Sequence, residues 1–349
     1  MHVEADVRGA VEDRREVLER MRAVLDRMEF PESGASNAPA DILRRPAAIE
    51  AVHTAQRALR SGAPAARSRA ELAAVLDRLS GEGPPAFGPV EPQDHLRRSV
   101  SRALRSVPPR RGDDGAPVTA GVVAWDADQR QVLVRAVGLL TDAWPEMVGE
   151  LTETVTEVAL LDGNAIDGFT DFTVHGAVLV HRSRLATSAS GLPGPVRCAE
   201  ALVHEGTHNR CNAAAVAKPF LLPEPSGGDE GTGGSGGSGG TGGTAPGALL
   251  VATPLRADPR PLSGLFQQTV VLARCVLLYR RIAALGTPGS REGAVAAREA
   301  RLTASARQAV DTLTAHSGAL TDSGRALLDE CAAVSRERER EPERERERP

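Results

Sequence analysis

The sequence predicts a mainly α-helical protein with a small β-sheet (α+β): helices packed around one helix that carries His204-Glu205-x-x-His208, with a few strands beside it. Three observations predict this. Apolar residues recur at helical spacing through most of the 349 residues. Two segments in the middle switch to β-branched alternation. The stretch "ALVHEGTHNR" (201–210) then follows with an apolar lead-in, which makes its helix a core element.

The elements run in order as follows. Residues 5–30 form an amphipathic helix with Val7, Val17, Leu18, Met21, Val24 and Leu25 at helical spacing. Further helices fit 39–61, closed by Gly62, and 66–80. "GEGPPAFGP" (81–89) breaks the pattern, and a helix over 92–107 stops at Pro108-Pro109. This makes an N-terminal helical region, 1–110, followed by an exposed loop at 110–117. The domain carrying the motif spans 118–335, and the earlier helices could simply pack onto it. It opens with a helix at about 126–151, bent or restarted near Pro145. Strands are expected over 154–163 and 171–183, then the motif helix over about 195–216. Residues 226–247 are Gly-rich, cannot bury apolar surface, and read as a flexible insertion. "GALLVATPL" adds a short strand, and helices follow at 262–285, 289–316 and 319–335. The tail 336–349 is a charged, low-complexity extension expected to fray past Pro342.

Composition excludes several classes. With 42 basic and 46 acidic residues the net charge is −4, which provides no basic field for nucleic acid or an anionic membrane surface. No run of 18 apolar residues and no secretory signal are visible, so a cytoplasmic protein without a membrane span is expected. Lys218 is the only lysine; with abundant Ala, Gly and Pro this reads as coding from GC-rich DNA, as in actinobacteria. The four cysteines (198, 211, 275, 331) show no CxxC spacing and read as reduced, buried structural thiols.

The chemistry-bearing motif is HExxH. On a helix His204 and His208 project from one face about one turn apart and can grip a single divalent ion, while Glu205 can reach a metal-bound water. A complete site needs a third ligand. The extended HExxHxxGxxH form is absent, since "NRCNAAAV" follows His208. His175 and His181 share strand parity and could face the motif helix; Glu292, Glu299 and His316 lie farther downstream. A second informative stretch, "TPLRADPRPLSGLFQQTVV" (253–271), brackets Asp258 with Arg256 and Arg260 among three prolines. It reads either as an Arg-Asp staple that fixes the loop or as an anion clamp near the metal.

Taken together, "FTVHGAVLVHRSRL", "CAEALVHEGTHNR" and "TPLRADPRPLSGLFQQTVVLARCVLLYRR" resemble the bacterial HEXXH-motif peptide-modification domain family, over roughly residues 120–285. That family accompanies maturation enzymes for ribosomally made peptides, radical SAM proteins among them. The resemblance implies an Fe(II)- and 2-oxoglutarate-dependent peptide β-hydroxylase. In it His204 and His208 bind iron, Arg256 or Arg260 neutralises the distal carboxylate of 2-oxoglutarate, and the substrate is a peptide with or without its leader. The chain departs from the family in three ways, one of them the Gly-rich insertion (226–247) that lies between the two halves of the site. Leu255 stands where its members usually carry Trp, and Gln267 and Gln268 lie on the helix where relatives carry a histidine, which leaves Gln267 as the candidate third ligand. Two alternatives stay open: a Zn(II) metallohydrolase or peptidase with Glu205 as general base, and a catalytically degenerate peptide- or partner-binding protein.

Overall fold

The computed structural model describes residues 1–28, 38–62, 64–105, 118–223, 249–254, 256–286 and 293–346, with backbone alone for 256–258 and 338–346. The expected loop at 110–117 and the Gly-rich insertion at 226–247 lie outside the described residues.

The architecture is mainly helical with a small sheet, as the periodicity predicts. Five helices come first: α1 (Val7–Arg27), α2 (Ala40–Leu43), α3 (Pro46–Arg60), α4 (Ala65–Ser80) and α5 (Asp94–Arg105). The expected 39–61 helix divides in two, because Pro46 cannot continue α2 and instead starts α3 at its first position. Strand β1 (Ala120–Val123) precedes α6 (Ala127–Ala143) and α7 (Pro145–Thr154). The break expected near Pro145 falls on Trp144, whose φ of −153° and ψ of 69° leave the helical region.

The main sheet has the order β1-β2-β4-β3, where β2 is Glu157–Gly163, β3 is Gly168–Phe169 and β4 is Ala177–His181. Strands β2 and β4 run parallel; β1 and β3 pair antiparallel on the outside. Sequence alternation finds β2 and β4 but misses β1 and β3, which are four and two residues long and contain glycines. The strand expected over 171–183 starts only at Ala177, because residues 172–174 close a 3-10 turn capped by Asp171. Residues 88–90 extend the ladder beside Val158, so the Gly/Pro segment at 81–89 ends in strand-like pairing.

Both faces of the sheet are buried, each in its own core. Val158, Leu160, Val178 and Val180 face the large core built with α6, α7 and the later helices. Ala159, Leu161, Ala177 and Leu179 face Leu96, Val100 and Ala103 of α5. A third core joins the second half of α1 to α2, α3 and α4. The motif helix α8 (Gly194–Ala217) packs between the first face of the sheet and α9 (Leu262–Ala284), with α1 and α6 alongside. A hairpin of β5 (Leu250–Thr253) and β6 (Arg256–Pro261) leads into α9. The Pro-rich loop expected there is therefore a strand. Pro259 and Pro261 have no N–H to give, and a two-stranded hairpin tolerates this along its outer edges.

Helices α10 (Ala294–Ala315) and α11 (Asp322–Arg346) close the fold. Helix α11 runs past Pro342 to Arg346 where fraying was expected, consistent with the strong helix propensity of Arg and Glu. Among the described residues, α9 alone is long and apolar enough to cross a membrane, and 78% of its apolar window is buried inside the protein. It is a central core helix: Leu265, Val271, Val276 and Leu278 are fully or almost fully buried. The N-terminal segment is stitched to the same core. Arg274 of α9 donates to the carbonyls of His2 (2.8 Å) and Val3 (3.0 Å), and Val3 N donates to Glu330 of α11 (2.7 Å).

Candidate metal centre

Helix α8 is buried almost all round. From Val196 to Ala214 every residue is buried except Arg197, Ala201, His204 and His208. Those four are spaced by four, three and four residues, so they form one stripe on the helix surface. Between Val196 and Ala214 the one stripe of α8 that is not buried therefore carries both histidines. Their ring centroids lie 5.2 Å apart, and the His204 side chain is 33% exposed. Two imidazoles at this spacing on a rigid helix suit one divalent ion, as the i, i+4 pattern predicts.

Glu205 turns away from the open stripe toward the edge of the sheet. The Thr170 hydroxyl, just after β3, lies 2.8 Å from Glu205 Oε2 and donates to it. Oε1 stands 4.0 Å from His204 Nε2. Strand β3 approaches closely because Gly168 has a φ of +152°, and a Cβ there would come within 2.9 Å of Glu205 Oε1. The carboxylate is thus buried, meets the Thr170 hydroxyl and lies adjacent to the first histidine, where a proton acceptor would be useful.

Gln267 of α9 meets His208. Its Oε1 lies 2.8 Å from His208 Nδ1, and its Nε2 donates to Asn212 Oδ1 at 2.9 Å. The candidate third ligand is therefore held against the δ nitrogen of a candidate ligand. Among the described residues no group of three or more His, Cys, Asp or Glu side chains is placed to hold a metal ion. The backbone of Arg256 and Asp258 lies in β6, but their side chains fall outside the described residues, as do Leu255 and Glu292. Arg260 is half-buried, two residues before α9 begins.

The other candidate histidines go elsewhere. His175 precedes β4 and packs against Phe172, whose other side meets His53. Burial holds His175 down to about 4 and lowers His53 as well, so both are neutral near pH 7. His181 bonds through Nε2 to the Gly163 carbonyl (2.7 Å) and through Nδ1 to Ser183 (2.8 Å). His316 caps the C-terminus of α10, and Glu299 is buried beside Arg280. All four cysteines are free and buried; burial pushes the Cys198 and Cys211 thiols up to about 12.

The rest of α8 is anchored by polar groups that the sequence does not single out. Asn209 accepts from Gly176 N (2.9 Å) and donates to Ala177 O (3.1 Å), clamping α8 to the start of β4. Arg210 is fully buried between Asp13 of α1 and Glu150 of α7, and Glu150 also pairs with Arg274. Glu200, one turn before His204, is held by Tyr279 (2.6 Å) and Arg298, which keep its carboxyl below the usual range despite burial. Gly206, inside the motif, faces Leu151 so closely that a Cβ would meet Leu151 Cδ2 at 2.1 Å. The only local sequence hint for these contacts is the i, i+4 spacing from His208 to Asn212; Thr170 and Gly168 come from a segment with no period.

No family model matches the chain, and no curated protein matches it.

Proposed function

We propose that the protein is a metal-dependent peptide-modifying enzyme of the cytoplasm, using Fe(II) and 2-oxoglutarate to hydroxylate a ribosomally made peptide. The observation that carries the metal-dependent part is the open stripe of α8, where a buried helix exposes two histidines 5.2 Å apart and little else. His204 and His208 would hold the ion. Such an ion, with 2-oxoglutarate and oxygen, supplies the oxidising power that no protein side chain has. A sphere with only two protein imidazoles leaves positions for a chelating cosubstrate, and Arg256 or Arg260 would hold its distal carboxylate. Glu205, fixed by Thr170, would accept or return a proton at its carboxylate, and β3 keeps water from its buried side.

The burial and orientation of Glu205 beside His204 also favour a second reading, a Zn(II) hydrolase in which Glu205 is the general base. One experiment separates the two. The purified protein is reconstituted with Fe(II) or Zn(II) and offered peptides encoded beside its gene, with and without a leader, alone and together with any neighbouring radical SAM enzyme. Coupled consumption of oxygen and 2-oxoglutarate, with a gain of 16 Da on the peptide, is the expected result. Peptide cleavage with zinc would sink the hydroxylase reading, and no stoichiometric binding of either ion would leave a peptide- or partner-binding protein.

A further inference from the structure

The chain Asn212–Gln267–His208 has a direction, and that direction decides which nitrogen of His208 can bind a cation. Gln267 Nε2 donates to Asn212 Oδ1, which turns the Gln267 carbonyl toward His208 Nδ1. A carbonyl oxygen only accepts, so the proton of a neutral His208 must sit on Nδ1. The lone pair is then on Nε2. Free neutral imidazole side chains prefer the opposite arrangement, so the preference must be imposed by a neighbour.

The elements make this neighbour rigid. Asn212 is buried one turn beyond His208 on α8, and Gln267 sits near the start of α9, which packs along α8. Neither amide lies on a loop. The Gln267 carbonyl thus acts on His208 as a backbone carbonyl or carboxylate acts on a ligating histidine: it fixes the tautomer and the ring plane.

We infer that Gln267 is a positioning residue, backed by Asn212, that sets His208 as an Nε2 ligand before any ion arrives, and is not itself the third ligand. The inference rests on the metal-centre reading for its purpose, but its physical content concerns the apo protein and can be measured there.

Long-range proton–nitrogen NMR of metal-free, 15N-histidine-labelled protein at about pH 8 reads the tautomer of His208 directly. Competition with a chromophoric chelator reads Zn(II) affinity on the same samples. The wild type is expected to show His208 protonated on Nδ1. Gln267→Leu should move the proton to Nε2 and weaken Zn(II) binding by about 10- to 100-fold. Gln267→Glu keeps an acceptor at the same place, with Asn212 turning its NH2 toward it, and should retain both the tautomer and the affinity. That rescue separates positioning from a packing defect, which either substitution would cause.

A wild type with the proton on Nε2 overturns the inference, because both amides must then be turned over, with Gln267 donating to Nδ1. An unchanged tautomer and affinity in Gln267→Leu overturns it equally. If His208 is protonated on Nδ1 but the wild type binds no Zn(II), Fe(II) or Co(II), the metal-centre reading fails and the relay loses its role, while the tautomer itself stands.

Discussion

Two sides of α8 handle polar groups in opposite ways. On one side Arg210 meets Asp13 and Glu150, and Glu150 meets Arg274; both arginines are fully buried and the charges are matched within the fold. On the other side His204 and His208 stand at the half-buried stripe of α8, and the Gln267 amide meets Nδ1 of His208. The first arrangement binds helices to one another, since α1, α7, α8 and α9 all contribute a charge. The second leaves two imidazoles near solvent at little cost in desolvation. A polar residue on a core helix can thus serve to join neighbouring helices or to stand at the helix's one open stripe.

Breaking each side should have different consequences. The largest effect is expected for Arg274→Met, which leaves Glu150 short of one buried partner and should cost about 3–5 kcal/mol in urea unfolding; a loss under about 1 kcal/mol would show that the matched charges contribute little. Next comes acid. His175 is neutral when folded, with a value of about 4 against the usual 6.5. Its folded value lies below its unfolded one, so the associated stability is full above about pH 6.5 and drains as pH falls toward 4, by up to about 3 kcal/mol. His175→Leu should flatten that slope, and an unchanged slope would place the acid sensitivity elsewhere.

Gly206→Ala is intermediate. The new methyl must displace Leu151 in a packed core, an overpacking cost of about 1–3 kcal/mol that the better helix propensity of Ala offsets by about 1 kcal/mol. A thermal melt a few degrees lower is the expected result. The smallest effect on stability belongs to the site itself. His204→Ala, at a partly open position, should change unfolding by no more than about 0.5 kcal/mol yet abolish stoichiometric cation binding in a titration. Binding that survives this change would refute the centre, and a large stability loss would move His204 to the structural side of the comparison.

Much of this was legible in the sequence. The 3.6-residue periods of α1, α8, α9 and α10, and the alternation of β2 and β4, are strong local signals because each element buries a defined face. The pair His204 and His208 was legible for the same reason: a helix converts their spacing into one surface stripe. The edge strand β3 was not, because two residues cannot display a period and their pairing is decided by β4. Gln267 was visible only as a polar residue on an apolar helix; its aim at Nδ1 depends on how α9 lies along α8. Thr170, Asn209 and the burial of Arg210 are likewise tertiary facts. The tail shows the reverse error, in which Pro342 and charge repetition suggested fraying although Arg and Glu favour helix.

The stitch between the N-terminal segment and the far helices bears on the timing of folding. Residues 2 and 3 find their partners only at Arg274 and Glu330, more than 270 positions later. During synthesis α1 can pair with α3 early, but the Arg210–Glu150–Arg274 node cannot close until α9 has left the ribosome. Such long loops are slow to close, so refolding from urea should be dominated by a late phase in which residues 1–6 dock last. Residues 1–6 then seal a core in which α8, α10 and α11 already cover α9, so a chain stalled before that step exposes the Arg274 end of the core rather than the whole helix.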